Sequence, residues 1–145
     1  MDHVAIMKKS WGLLPKILTG EKTVESRWYK NKSAPWGKIM AGDAVYFKNS
    51  GEDVTAWAKV TKVLQFDDLN QKKVREILEK YGEEDGIKDI DAFYNLFKDK
   101  KYCLLVFLEN PKKIKPFKID KTGYGAMAAW MTDVCLAIKV PFPGK

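Results

Sequence analysis

The sequence predicts one α+β domain over residues 1–145: a curled sheet of mostly antiparallel strands, a helix directly after the first strand, and a helical insert at about 67–99. Segments rich in β-branched and aromatic residues recur along the chain, separated by Gly, Pro, Asn and Asp. Helical spacing of apolar residues is confined to one short stretch near the N-terminus and to the acidic centre. At 145 residues, 46% of them apolar, the chain carries enough core for one domain and is not a disordered protein.

Residues 3–9 (HVAIMKK) alternate apolar and polar, the pattern of a half-buried strand. Leu13, Leu14, Ile17 and Leu18 then recur at helical spacing, with Ser10 upstream as a cap and Gly20 as the stop. Residues 23–29 (TVESRWY) alternate again, 31–43 are loop, and 44–49 and 54–66 read as two strands joined by the turn Asn49-Ser50-Gly51. In the insert, Val74, Ile77, Leu78 and Tyr81 define one helical face and Ile90, Phe93 and Phe97 a second. Residues 102–110 and 113–119 return to strand, and the almost wholly apolar YCLLVF predicts a central strand covered on both sides. After a turn at Thr122–Gly125, residues 126–131 (AMAAWM) read as a short helix and 133–140 as the strand that closes the sheet.

Charge is unevenly placed. Residues 1–64 hold eleven Lys/Arg against six Asp/Glu, residues 65–99 six against ten, and residues 100–145 nine against three. The net +7 therefore conceals an acidic insert between two basic flanks, and the flanks suit a polyanion. No apolar run approaches the length of a membrane helix, and the N-terminus lacks a leader pattern, so a cytoplasmic protein is expected. Cys103 and Cys135 then read as reduced core residues, with a bridge between adjacent strands as the alternative. With His3 as the one histidine, no ordinary zinc site is expected, and no cofactor.

The chemistry concentrates in Gly20-Glu21-Lys22-Thr23-Val24-Glu25-Ser26-Arg27. Residues i and i+2 of a strand share a face, so Glu25 and Arg27 point the same way, and Lys22 enters from the preceding turn. A carboxylate between two cations is either a structural ion network or a site in which Glu25 orients Arg27 toward a phosphate or a base edge. Those same cations hold the Glu25 pKa down, which disfavours it as a general base.

With Gly20, Lys22, Glu25 and Arg27, this segment resembles the G-x-K-x-x-E-x-R signature of the ASCH domain, a branch of the PUA-like β-barrels. The order of elements extends the resemblance over most of the chain, including Gly42-Asp43 leading into a strand. The resemblance implies a small, partly open barrel with a cleft lined by the signature, and RNA or a nucleotide as partner. Some small relatives look like amidohydrolases of acylated cytidine nucleosides, using a lysine and a threonine of this motif and a downstream glutamate. Lys22 matches that lysine, but Glu25 stands in the threonine's place, and Thr23 lies two residues earlier. If the chain is an enzyme, Lys22 and Glu25 are the candidates for a hydrolase of RNA or a modified nucleoside.

Aromatic residues extend the binding reading, because bases stack on exposed rings while lysines hold the phosphates. Trp28 and Trp57 alternate toward the core, whereas Trp11, Trp36 and Tyr124 fall in loops or turns. The candidate ligand-binding set is Lys9, Trp11, Lys22, Glu25, Arg27, Tyr29, Trp36 and Tyr124, in a basic cleft to which the side-chain ends of Lys22 and Arg27 both open. Lys112, Lys113, Lys115 and Lys118 read as a charged run beside a strand, and His3 receives no role. The acidic helices are expected to be dispensable for binding phosphate, though they form an alternative surface for a protein partner.

Overall fold

The computed structural model describes residues 1–121, 123–124 and 128–134. The chain runs β1 (Asp2–Met7), a 3-10 turn (Lys9–Trp11), α1 (Leu13–Thr19), β2 (Val24–Tyr29), β3 (Ala44–Asn49), β4 (Val54–Phe66), α2 (Gln71–Tyr81), α3 (Ile90–Phe97), β5 (Tyr102–Phe117) and β6 (Trp130–Thr132). The strands form one sheet in the order β2-β5-β4-β3-β1-β6. Pairing is antiparallel except between β1 and β3, which run parallel. Among the described residues, no helix is long and apolar enough to cross a membrane.

Three elements differ from the sequence reading. β5 is one strand of sixteen residues, because Asn110 takes a positive φ of 52° and the chain continues through Pro111 instead of turning. Shifts in its register with β4 absorb the irregularity. Trp130–Thr132 is a strand, not the end of a helix: it pairs with His3–Ala5, and the backbone partners of β1 outweigh the helical tendency of the alanines. α1 is capped by Gly12 in the left-handed region and not by Ser10. Residues 135–140 of the expected closing strand lie outside the described residues, and so does the proposed partner of Cys103.

β5 explains how the fold is layered. Leu104, Val106 and Leu108 enter the barrel core with Ala5, Phe47, Ala58 and the α1 residues Leu14 and Ile17. Cys103 and Leu105 point the other way, into a second core with Val24, Trp28, Val74, Ile77 and Leu78. The strand is covered on both faces, as its continuous apolar run requires. The insert is therefore a second layer: Asn70 and Asp89 cap α2 and α3 by accepting the amides of Lys73 and Ala92, and the apolar face of α2 lies over β2 and β5. Trp57, expected in the core, is half-buried on a third small cluster, with the Lys112 ammonium 5.8 Å from its ring centre.

Leu78 is 1% exposed in that second core. Leu78→Ala should lower stability by about 2–5 kcal/mol through lost burial and a residual cavity. Urea unfolding checks this, and a loss below about 0.5 kcal/mol would mean that the insert is not docked as described.

Candidate functional site

β2 is the terminal strand of the sheet, and its uncovered edge organises the site. Gly20, at φ 83°, ends α1 and turns the chain so that Lys22 reaches this edge. The Lys22 side chain runs inward, not out to a concavity: the residue is 1% exposed. Its ammonium donates to the Val24 carbonyl at 2.6 Å and to the Asp85 carbonyl at 2.7 Å, lies 3.1 Å from Glu25 Oε1, and is tightly bonded to Asp85 Oδ1. Buried charge is tolerated only with such partners. Desolvation works against the lysine's charge, but Glu25 and Asp85 outweigh it and hold the pKa above the usual lysine value.

Asp85 comes from the acidic insert, 63 residues downstream. Its loop is fixed by three further contacts: the Glu84 carbonyl accepts the amides of Thr23 and Val24, and the Gly86 carbonyl accepts the Lys16 ammonium at 3.0 Å. Gly86 permits this approach. It has φ 77°, and a Cβ there would stand 3.3 Å from the Lys22 Cβ. The insert, expected from its charge to be dispensable for binding phosphate, supplies two of the four acceptors around the Lys22 ammonium. Burial, reinforced by the Glu25 charge, pushes Asp85 up to about 6 even though Lys22 and the Ser26 hydroxyl favour its ionised form. Glu25 goes the opposite way: burial would raise it, but Lys22 and Arg27 keep it below the ordinary carboxylate value.

Arg27 joins the two ends of the curled sheet. Its Nε donates to Glu25 Oε2 at 2.8 Å, and Nη2 lies 2.6 Å from the same oxygen. The remaining guanidinium protons reach across the gap to the Ile6 and Ala129 carbonyls at 3.2–3.3 Å and to Met7 Sδ at 3.4 Å, with the Trp130 ring 5.1 Å away. On the other face of β2, Ser26 donates to Asp85 Oδ2 at 2.5 Å and accepts the Trp28 indole N–H at 3.1 Å.

Beside this network lies a cleft of about 270 Å³. Glu25, Ser26, Arg27 and Asp85 form its polar floor, Trp11, Trp28, Phe93 and Phe97 are its aromatic walls, and Lys8 stands at its mouth. The walls support one another: Trp28 stacks on Phe97 at 4.9 Å and 7°, and Trp11 meets Phe93 edge-on at 5.1 Å. The floor balances two cations against two carboxylates, counting Lys22 behind it, so the cleft is not the basic groove expected from the flanks.

Of the candidate set, Trp11, Glu25, Arg27 and Tyr29 line this cleft. Lys22 is sealed behind it. Lys9 is drawn to Glu52 at 2.5 Å on the exposed surface, and it is Lys8 that faces the cleft. Trp36 packs against the barrel core and edge-on to Tyr102 at 5.3 Å. Tyr124 borders a neighbouring hollow that shares Tyr29 with the cleft. Tyr29 donates to the Ala34 carbonyl at 3.1 Å, and burial pushes its hydroxyl up to about 12. Sequence reasoning missed Asp85, Ser26, Phe93 and Phe97. The one signal for Asp85 was its glycine-flanked acidic run, Gly82-Glu83-Glu84-Asp85-Gly86.

No family model matches the chain, and no curated protein matches it in sequence. Solved structures do. The chain is similar to the crystal structure of ASCH from Zymomonas mobilis, with a TM-score of 0.60 and 18% identity over 83% of this chain and 75% of that one. Two point variants of that protein give TM-scores of 0.60 and 0.61. The N-terminal domain of Staphylothermus marinus McrB is similar at a TM-score of 0.51 and 14% identity, over 81% of this chain and 76% of that one. The fold is that of these ASCH structures: a curled half-barrel with a helix after β1 and a helical insert.

The raised Asp85 pKa has a definite sign. The folded state takes up a proton on Asp85 at higher pH than the unfolded chain, where the value is 3.8, so this group's contribution to stability grows as pH falls through about 6. Asp85→Asn removes that contribution. The wild type should therefore gain stability relative to Asp85→Asn between pH 7 and pH 5, as read by urea unfolding of both proteins. A difference that is flat or reversed over this range would contradict the assignment.

Proposed function

We propose that the chain binds a nucleotide, free or within single-stranded RNA, with the base held in the cleft between β2 and the insert. The observation that carries this reading is the pairing of aromatic walls with a fixed polar floor. Rings accept the face of a base, and the floor reads its edge. A volume of about 270 Å³ suits one nucleobase or nucleoside better than a larger ligand. The floor is charge-balanced, so it offers no strong site for phosphate. Phosphates are left to Lys8 at the mouth and to the basic flanks beyond it. The similarity in fold to ASCH domain structures is consistent with this reading, and the closure of the site by Asp85 and Arg27 gives it a rigid base.

The hydrolytic alternative loses its lysine. A lysine acts as a base or nucleophile when its amine is free and its pKa depressed, whereas the Lys22 ammonium is enclosed by four acceptor atoms and its pKa is raised. Glu25 is held ionised below the range of an efficient general base. Binding without turnover is the function these groups support best.

Trp11 is 37% exposed, so its replacement leaves the core intact. Trp11→Ala should weaken binding of a short single-stranded RNA by about 1–3 kcal/mol, the range for one base–aromatic contact. Wild-type affinity should also fall as salt rises, because the flanks meet phosphate. Fluorescence anisotropy with a labelled RNA hexamer reads both. Equal affinity in Trp11→Ala would move the ligand out of this cleft.

A further inference from the structure

β2 leaves part of its edge open inside the cleft. Resting on the reading of the cleft as a base pocket, we infer that main-chain groups of Ser26 and Trp28 recognise the base, whose edge takes the place of a next strand. A donor on the base meets one of their carbonyls, and a neighbouring acceptor meets one of their amides.

The period of the strand singles out these groups. In an antiparallel pair, alternate residues spend both N–H and C=O on the partner strand, and the residues between them turn both away. β2 is terminal and pairs with β5 alone. The Thr23 carbonyl accepts the Leu108 amide and the Tyr29 carbonyl accepts the Lys101 amide, both on the β5 side. Glu25 and Arg27 are in step with them, so Val24, Ser26 and Trp28 face the open edge. Val24 is already matched, its amide by the Glu84 carbonyl and its carbonyl by the Lys22 ammonium. Ser26 and Trp28 line the cleft, and their main-chain groups have no partner among the described residues.

Two amides and two carbonyls therefore alternate along about 7 Å of edge. A strand of ordinary length, about 5–6 residues, has no room there. The Glu84 carbonyl closes the edge at Val24, and the Arg27 guanidinium crosses the gap to the Ile6 and Ala129 carbonyls. A planar heterocycle with a donor beside an acceptor suits so short an edge. Water expelled from between Trp11, Phe93 and Phe97 leaves these main-chain groups to be matched by the ligand or to cost free energy. The side chains agree with this placement. Glu25 and Arg27 project from one face of β2, and Ser26 and Trp28 from the other, toward the insert. A ring that continues the sheet turns one face to the side of Arg27 and the other to the side of Phe93 and Phe97.

The test uses the nitrogen-15-labelled wild-type protein and hydrogen–deuterium exchange of its amides, without nucleotide and with saturating adenosine or uridine 5′-monophosphate. In the free protein the Ser26 and Trp28 amides should exchange faster than those of Glu25 and Arg27, which β5 holds. With nucleotide bound, at least one of the two should slow about tenfold or more, and its proton signal should move downfield. The Trp11 indole signal reports occupancy in the same samples. Movement of Trp11 with neither amide slowed would overturn the main-chain inference and leave the base pocket standing. Slow exchange of both amides in the free protein would show that the chain itself matches them, and would also overturn it. Failure of both nucleotides to move Trp11 would remove the base pocket and this inference with it.

Discussion

A lysine ammonium with no access to water organises this protein. The Lys22 charge at the edge of β2 has to be matched by acceptors, and the chain supplies them from three places: the strand's own Val24 carbonyl, Glu25, and Asp85 with its backbone carbonyl. Each partner fixes something further. Glu25, held by Lys22 on one oxygen, uses the other to orient Arg27, and Arg27 ties β2 to the Ile6 and Ala129 carbonyls across the gap in the sheet. Asp85 brings the insert loop down onto the edge strand, and with it come the rings of Phe93 and Phe97 that wall the cleft.

This arrangement also covers the first residues of an edge strand, whose unpaired backbone groups invite pairing with another chain. The Glu84 carbonyl takes the amides of Thr23 and Val24, and Lys22 takes the Val24 carbonyl. A buried ion cluster is not a cheap source of stability, since desolvation offsets much of the Coulomb gain. What it secures here is geometry. Neither Arg27 nor Ser26 can rotate without breaking bonds to Glu25 or Asp85, so the floor of the cleft is set before any ligand arrives.

Much of the fold was legible because it depends on local patterns: alternation in β2, β3 and β4, the i, i+3, i+4 spacing of Val74, Ile77 and Leu78, and the glycine that stops α1. The doubly covered β5 could be read from YCLLVF. The continuation of β5 through Pro111 and the strand at Trp130–Thr132 were hidden, because partners distant in sequence impose both. The site divided in the same way. The shared face of Glu25 and Arg27 follows from strand period, but the burial of Lys22 depends on Asp85, and no spacing rule relates residues 63 positions apart. Splitting the charge along the chain pointed away from the insert. The reason is that the acidic segment neutralises a buried cation instead of meeting solvent along its whole length.

In the proposed function a base enters the cleft between β2 and the insert, and the tryptophans report on it directly. An isotope-labelled sample gives a separate indole N–H signal for each tryptophan, assignable by single Trp→Phe substitutions. On titration with adenosine 5′-monophosphate, the Trp11 and Trp28 signals should move together and saturate at one dissociation constant. The Trp36 signal, on the barrel core beside Tyr102, and the Trp57 signal, on the cluster under Lys112, should stay in place. Saturable movement of Trp36 or Trp57 with Trp11 and Trp28 unmoved would contradict the account and put the ligand on another face of the barrel.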